Sequence, residues 1–474
     1  MDKLEIINPE GLTDTEKNDI SPLKRKRTLM IIIIVVSCVV IITVAIVLGV
    51  VLGKQKSYDD GRTTPETNFY GCMCDAGSSS TRVSVYTWPQ RKKNNIPVLT
   101  EVGRSTTNPG MHTMDENQIK DAMEHLTNYC RDRIIEISKN HSNVSEANFY
   151  LKATAGMRSI PVEEQNKKLE IIKSVIKESE LKFLNESWAK VITGTEEGVF
   201  GWIQGNYLNK ILFDNQKAEK IVKTPIGSID LGGYSLEITF TTDEIIKEHK
   251  VNLTLSNINY NLYSYSFQDY GQDKFNEALM KSLVDSQGSE ETNIIQHPCF
   301  LNGYNLSKEF NNKLYTFEGE PNITLCKELI RSHLNINEEK DKSMNDIYQP
   351  KIPDNMKFYG ISGLFWIADF YKLSGNDYHS PSEFLKPTEE FCNKTWEDAV
   401  KEHPKVDKDH LKDYCISGFY VYYFMVDGFK IGKDTKIISY PETIEGVETG
   451  WTLGAMSYEI GVEPIKDVKF YIDF

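Results

Sequence analysis

A single uncharged apolar run, Leu29 to Leu52, limits what this chain can be more than any other feature. As a helix it would extend roughly 36 Å, enough to cross a bilayer with some tilt. It has no polar face, so it makes a poor core helix. It is also longer than the apolar centre of a cleavable signal peptide, and is therefore read as a retained anchor. Lys24, Arg25, Lys26 and Arg27 stand directly before it. That charge bias keeps the preceding residues in the cytoplasm and puts everything after the run outside the cell or in a lumen. The chain is thus expected to be a single-pass type II membrane protein. Gly49 and Gly53 form a small-xxx-small pair at the end of the run, a weak association signal compatible with oligomerisation.

Two further patterns agree with an outward-facing body. Glycosylation sequons occur at Asn140, Asn143, Asn185, Asn252, Asn305, Asn322 and Asn393. Seven of the eight cysteines lie beyond the apolar run: Cys72, Cys74, Cys130, Cys299, Cys326, Cys392 and Cys415. In an oxidising compartment some should pair, and the odd number leaves at least one over. The formal net charge of −14 argues against a nucleic-acid partner. It does not exclude a small polyanion held by a metal ion and by backbone N–H groups.

The remaining length exceeds one ordinary core and predicts two lobes. Residues 1–28 read as a cytoplasmic tail, 29–52 as the anchor and 53–68 as a linker. Strands are expected from Tyr70 to Cys74 and Arg82 to Tyr86, with a strand–turn–strand unit over Ser228 to Phe240. Apolar spacing predicts helices over Asp121–Lys139, Glu163–Glu186, Leu364–Tyr371 and Leu411–Phe424. Alternating helices and short strands make the class α/β. There is also an internal echo. Asp75-Ala-Gly-Ser-Ser-Ser-Thr and Asp230-Leu-Gly-Gly-Tyr-Ser-Leu each place an acid at a strand end, then small residues, then a second strand. Two related lobes, each offering a phosphate-facing hairpin to a shared cleft, would account for it.

The chemistry-bearing segments are short. Gly77 and the serines after it can cradle phosphate oxygens with exposed N–H and hydroxyl groups, without the Lys-Ser/Thr ending of a P-loop. Asp75 can hold a hydrated divalent cation. In the second hairpin Ser235 is placed to orient a water. Thr154 and Ala155, in Ala153-Thr-Ala-Gly-Met-Arg158, allow a third loop to approach phosphate; Arg158 reads equally as an ion-pair partner or a ligand contact. In Gly194-Thr-Glu-Glu-Gly-Val-Phe-Gly-Trp202 the adjacent carboxylates cannot face one point. One can act as a general base and the other be structural, or both can simply be acids at a helix start.

These blocks, in this order and approximate spacing, resemble the nucleoside triphosphate diphosphohydrolase (apyrase) family of the actin-like ATPase superfamily. A divergent fifth block, Phe358 to Trp366, and the segments around Cys299, Tyr414-Cys415 and Gly450 to Gly454 extend the resemblance over about residues 68–464. It implies two ribonuclease-H-like, actin-like lobes with the active site in the cleft between them: residues 69–193, residues 194–441, and a segment 442–474 returning to the first lobe. It implies hydrolysis of nucleoside tri- or diphosphates with Ca²⁺ or Mg²⁺. Glu197 falls at the catalytic base and Ser235 at its partner on the water. Asp75 and Asp230 fall at the acids that hold the metal through water. Ser78, Ser79, Ser80, Thr154, Ala155, Gly232, Gly233, Tyr234, Ser235 and Glu237 fall in phosphate loops. Trp451 falls near metal and phosphates, and Phe365 and Tyr414 where aromatic rings sandwich the base. Three positions depart from the family. Ser80 stands where His is common, Tyr234 replaces a small residue, and Glu237 replaces Gln. The family pattern also implies disulfides Cys299–Cys326 and Cys392–Cys415. It leaves Cys72 and Cys74 as buried thiols and Cys130 without its usual partner. An exopolyphosphatase-like or kinase-like member of the same fold, or a non-catalytic nucleotide-binding surface protein, remains the alternative.

Overall fold

The computed structural model describes residues 68–89, 98–213, 224–255, 258–287, 292–334, 343–344, 346–462 and 471–473. The cytoplasmic tail, the anchor and nearly all of the linker lie outside these residues. Among the described residues no helix is long and apolar enough to cross a membrane.

The first sheet is built from β1 (Asn68–Ala76), β2 (Thr81–Pro89), β3 (Thr100–Thr107), β4 (Asn148–Ala153) and β5 (Ala189–Val191), in the order β3-β2-β1-β4-β5. β1, β2 and β3 form an antiparallel meander, while β4 and β5 run parallel to β1 and its neighbour. One face is covered by α1 (Glu116–Ser138) and α2 (Val162–Glu178). α1 starts on a capping box in which the Asp115 carboxylate accepts from the Gln118 N–H and the Gln118 side chain accepts from the Asp115 N–H, both at 2.9 Å. α2 stops at Glu178, short of the Glu186 expected from spacing. Ile176 is the last buried residue of the helix, and Ser179 closes the last turn onto the Ile176 and Val175 carbonyls.

The second sheet contains β6 (Gly227–Leu231), β7 (Ser235–Thr241), β8 (Lys250–Leu255) and β9 (Ile258–Gln268). A small side sheet follows, formed by β10 (Ile294–His297), β11 (Asn305–Phe310) and β12 (Lys313–Gly319). The chain then returns with β13 (Phe358–Ser362), β14 (Gly375–His379) and β15 (Ile438–Tyr440). Inside this larger sheet the run β9-β7-β6-β13-β15 has the order and strand directions of the first sheet, with β8 added at one edge and β14 at the other. Asp75 and Asp230 occupy the same position, one residue before the end of the first strand of each repeat. The echo in sequence is therefore a repeat in topology, and the α/β class is borne out.

Two helices join the sheets. α3 (Gly194–Leu208) packs on β6, β7 and β9. α4 (Gln272–Asp285), α5 (Ile323–Leu334), α6 (Gly363–Phe370) and α7 (Tyr414–Tyr423) surround the far side of the second sheet. The last helix, α8 (Thr452–Val462), lies against both α3 and β1. Met73, Tyr86 and Tyr150 of the first sheet, Phe200 and Trp202 of α3, Leu253 and Leu262 of the second sheet, and Leu453 and Met456 of α8 form one buried cluster. Polar contacts reinforce it. The Gln204 side chain accepts from the Leu453 N–H at 3.0 Å and donates to the Glu448 carbonyl at 2.8 Å. Lys152 Nζ lies 2.5 Å from Glu459 Oε1. The C-terminal segment does not stay with the first sheet. After α8, β16 (Tyr471–Asp473) pairs antiparallel with β8, because the exposed edge of that strand offers unpaired N–H and C=O groups.

Disulfides Cys299–Cys326 and Cys392–Cys415 pin the periphery of the second sheet. Closing separations of 27 and 23 residues contributes about 3.5 kcal/mol each by chain entropy. Cys72, Cys74 and Cys130 are reduced and buried in the first-sheet core. The sequon residues Asn140, Asn185, Asn305, Asn322 and Asn393 are exposed, and Asn143 and Asn252 are half-buried.

Gly454 is the closest point between α8 and α3. A Cβ there would sit 2.0 Å from the Phe200 carbonyl oxygen and 2.9 Å from the Gln204 nitrogen. Backbone cannot yield as a side chain can, so Gly454→Ala is expected to cost roughly 2–4 kcal/mol, at or above the usual range for overpacking. Chemical denaturation monitored by tryptophan fluorescence checks this; a midpoint equal to the parent's would show that the helices are not in close contact.

Candidate active site

The first turn of α3 separates the two adjacent acids. Glu196 completes a capping box: its carboxylate accepts from the Thr193 N–H at 2.8 Å, and its own N–H donates to Thr193 Oγ1 at 3.1 Å. It also pairs with Lys190. Glu197, one residue on, turns inward and is buried. Glu196 is thus the structural acid at the helix start, and Glu197 is the one that faces the interior.

Arg158 ends the single helical turn Ala155–Arg158 that follows β4. Its guanidinium donates to Glu197 Oε2 from Nη1 at 3.0 Å and from Nη2 at 3.1 Å. Nη2 also donates to Ser235 Oγ at 3.1 Å, Nε to Gln268 Oε1 at 3.2 Å, and Nη1 to the Ile192 carbonyl at 3.1 Å. Nη2 is 3.7 Å from Glu237 Oε1, which accepts from Ser266 Oγ at 2.7 Å. One planar cation thus ties the first sheet to α3, β7 and β9, using the fork geometry that lysine lacks.

Four acids share this region. Asp75 faces Arg82 across the β1–β2 register, and its Oδ1 is covered and unpartnered. Burial raises Asp75 to about 7; Arg82 opposes the shift, and Glu197 and Asp230 add to it. Asp230 is raised to about 7 by burial and by Glu197, against a hydrogen bond from Ser362. Glu237 is pushed well above the usual range by burial, then by Glu197 and Asp230, and its Oε2 is buried without a partner. Burial raises Glu197, and Arg158 pulls it back. Among the described residues no three His, Cys, Asp or Glu side chains converge tightly enough to ligate an ion directly.

The three small-residue loops meet. Gly77 N–H bonds the Ser80 carbonyl at 3.0 Å, and Thr154 N–H bonds the Ala76 carbonyl at 3.1 Å. Gly232 N–H bonds the Ser235 carbonyl at 3.0 Å. Ser79 hydrogen-bonds Asp273 at the start of α4, and a Cβ on Gly233 would lie 2.5 Å from Ser78 Oγ. Ser78, Ser79, Thr154, Ala155, Gly232, Gly233, Tyr234 and Ser235 are therefore brought together with Glu197 and the acids. Ser80, which closes the first turn, and Ala155 present backbone and small side chains there.

The aromatic candidates sit apart. Tyr414 lies flat on Phe370, with ring centroids 3.7 Å apart, and its carbonyl accepts from the Tyr371 hydroxyl at 2.7 Å. Phe365 meets Trp366 edge-on at 5.0 Å, and Trp366 is 61% exposed. Trp451 is buried at the foot of α8 and stacks on Phe200 at 6.4 Å.

Reasoning along the sequence left Arg158 undecided and missed Gln268, Ser266, Asp273, Ser362 and His112. Ser362 has φ of 58°, in the left-handed region, which turns β13 sharply into α6 beside Asp230. His112 Nε2 lies 3.1 Å from the Tyr234 hydroxyl.

Known proteins bear on this geometry. The chain matches the GDA1/CD39 (nucleoside phosphatase) family over residues 62–468. It is 30% identical over 417 residues to ectonucleoside triphosphate diphosphohydrolase 3 of Mus musculus, covering 82% of this chain and 77% of that one. It is 27% identical to probable apyrase 4 of Arabidopsis thaliana, covering 96% and 91%. In fold it is similar to the crystal structure of nucleoside triphosphate hydrolases from Neospora caninum, with a TM-score of 0.65 over 87% of this chain and 96% of that one, at 15% identity. With most of its length matched and the motif residues gathered around one buried glutamate, the chain belongs to the GDA1/CD39 nucleoside phosphatase family and is a hydrolase.

Proposed function

We propose that the protein removes the terminal phosphate of nucleoside tri- and diphosphates on the extracellular or lumenal side of its membrane, in the cleft between two ribonuclease-H-like lobes. The observation that carries this reading is the Arg158 fork, which holds Glu197 and Ser235 side by side at the edge of the three phosphate-type loops. Both guanidinium bonds to Glu197 end on Oε2, leaving Oε1 for a water. Burial lifts the basicity of Glu197 while Arg158 keeps it ionisable, which suits a general base. Glu197 takes a proton from that water and Ser235 orients it. Attack on the terminal phosphorus is in line, and the loop N–H groups of Ser78, Ser79, Ser80, Ala155 and Gly233, with the Thr154 hydroxyl, neutralise charge on the transferring oxygens. No covalent enzyme intermediate is required.

A hydrated divalent cation fits the acids present. Asp75 and Asp230 repel one another, and while Asp230 is hydrogen-bonded by Ser362, an ion held through water would satisfy the orphaned Asp75 oxygen. When bound, Ca²⁺ or Mg²⁺ supplies charge neutralisation for the polyphosphate chain. Trp451 would back this region. Phe365 and Tyr414 would grip the base by stacking, with Phe370 holding the far face of Tyr414. The exposed sequon residues and the two disulfides support an oxidising, glycosylated environment for the body.

Replacing Glu197 by Gln is expected to lower kcat for ATP roughly 100- to 10,000-fold, as for loss of a general base. A phosphate-release assay on the full chain checks this, and parental turnover in the variant would overturn the assignment. Glu237→Gln removes a buried carboxyl that burial holds toward its protonated form. Its ionised form attracts a divalent cation by about 3 kcal/mol at ~10 Å and an effective dielectric near 20, so half-saturating Mg²⁺ or Ca²⁺ and the ATP-to-ADP preference should shift at least roughly tenfold. Unchanged metal and substrate profiles would count against a role for this departure.

The raised acids also set a pH dependence. Between their unfolded value of 3.8 and about 7, Asp75 and Asp230 hold protons in the folded chain that the unfolded chain has released. The metal-free protein therefore loses their share of stability as pH rises through that window. The rise in Tm on adding Mg²⁺ or Ca²⁺ should grow from pH 5 to pH 8. Thermal melts with and without chelator test this, and a gain that shrinks with pH would contradict it.

A further inference from the structure

His112 lies in the turn Met111–Thr113 and is 8% exposed. A Cβ on Gly156 would fall 2.8 Å from His112 Nδ1 and 2.9 Å from Ser78 Cα. The imidazole is therefore wedged between the Asp75–Thr81 loop and the Thr154–Gly156 turn, two of the three phosphate-type loops. From there Nε2 reaches the Tyr234 hydroxyl at 3.1 Å, with the rings edge to face at 5.2 Å. Tyr234 belongs to the third loop, in the second sheet. Lys274 Nζ lies over its ring, 4.7 Å from the centroid, and is itself paired with Glu277. The contact thus spans the two sheets at the point where Ser78 approaches Gly233 and Ser79 bonds Asp273.

Nδ1 of His112 is buried without a partner. Burial, aided by Lys168 and Lys274, lowers this histidine, so the ring is neutral at pH 7. With no acceptor at Nδ1, the proton costs least on Nε2, where it is donated to the Tyr234 oxygen. The Tyr234 hydroxyl then keeps its own hydrogen to donate elsewhere. Tyr234 is half-exposed, so the residue is not wholly taken up by packing.

We infer that Tyr234 and His112 determine how this chain holds the polyphosphate: the Tyr234 hydroxyl donates to a phosphoryl oxygen of the bound nucleotide, and His112 is the positioning residue that aims it. The inference rests on the nucleotide-hydrolase reading above. The sheets meet through this pair, so substrate binding and closure of the loops draw on the same hydrogen bond. No proton is transferred and no bond is made or broken by the pair.

The test uses the full chain with Mg²⁺ present. It measures kcat and KM for ATP and ADP, and separately the affinity for a non-hydrolysable ATP analogue. Tyr234→Phe, which preserves shape, is expected to lower kcat/KM and analogue affinity roughly 10- to 100-fold, the range for a hydrogen bond to a charged group. His112→Ala should lower both by a smaller factor, and the double variant should be no worse than Tyr234→Phe alone. His112→Gln, which keeps a donor, should retain at least half the parental value, and covers the case in which His112→Ala does not fold. Parental kcat/KM and affinity in Tyr234→Phe would overturn the inference. So would multiplying losses in the double variant, or a loss in His112→Gln as large as that in Tyr234→Phe. Glu197→Gln run in parallel separates the two readings: if it is inactive while Tyr234→Phe is parental, the hydrolase reading stands and the Tyr234–His112 role falls.

Discussion

The contact between α3 and α8 is the constraint on which the rest depends. Each sheet needs an apolar cover on its inner face, and one helix pair provides it for both. α3 covers the second sheet and α8 the first, and they approach so closely that only a glycine fits at position 454. Because α3 carries Glu197 in its first turn, the packing that joins the sheets also sets its carboxylate relative to the β1–β2 and β6–β7 hairpins. Gln204 on the same helix satisfies the N–H of Leu453, so the end of α8 is fixed by hydrogen bonding as well as by burial.

Around that frame the electrostatics are unbalanced. Asp75, Asp230, Glu197 and Glu237 repel one another in a buried region, and Arg158 is the cation in direct contact with Glu197. A buried charge without compensation is costly, and the covered oxygens of Asp75 and Glu237 remain unpaired. Such a site is poised for added positive charge and for polar ligands. The region furthest from the family pattern, Tyr234 and Glu237, lies on this same hairpin. The strands of this hairpin are undisturbed there, since β6 and β7 keep an unbroken register from Ser228 to Leu231.

Local features are legible in the order of residues alone. The Thr193 and Asp115 capping boxes, the apolar faces of α1 and α2, and the hairpins after Asp75 and Asp230 all follow from spacing within a few residues. The helix expected to reach Glu186 is shorter than its pattern suggests, because the chain leaves it to pair alongside the start of β4, where Lys182 N–H donates to the Ala147 carbonyl and the Lys182 carbonyl accepts from the Phe149 N–H. The return of the C-terminus is only partly legible. α8 goes to the first sheet, but Tyr471–Asp473 pairs with β8, and edge pairing leaves little mark on a short strand.

By itself, the sequence determined the α/β class, the repeated acid-and-turn hairpins, the family and the motif loops around Asp75, Thr154, Glu197 and Asp230. Those rest on periodicity and on short ordered motifs, which are properties of neighbours along the chain. Only the tertiary structure decided which of Glu196 and Glu197 turns inward, and that Arg158 is the hub joining Glu197 to Ser235 and Gln268. It alone brought His112 to Tyr234 and Ser362 to Asp230. The physical reason is distance along the chain. Arg158 and Gln268 are 110 residues apart and His112 and Tyr234 are 122 apart, and contacts of that kind exist only once two sheets have closed on a shared pair of helices.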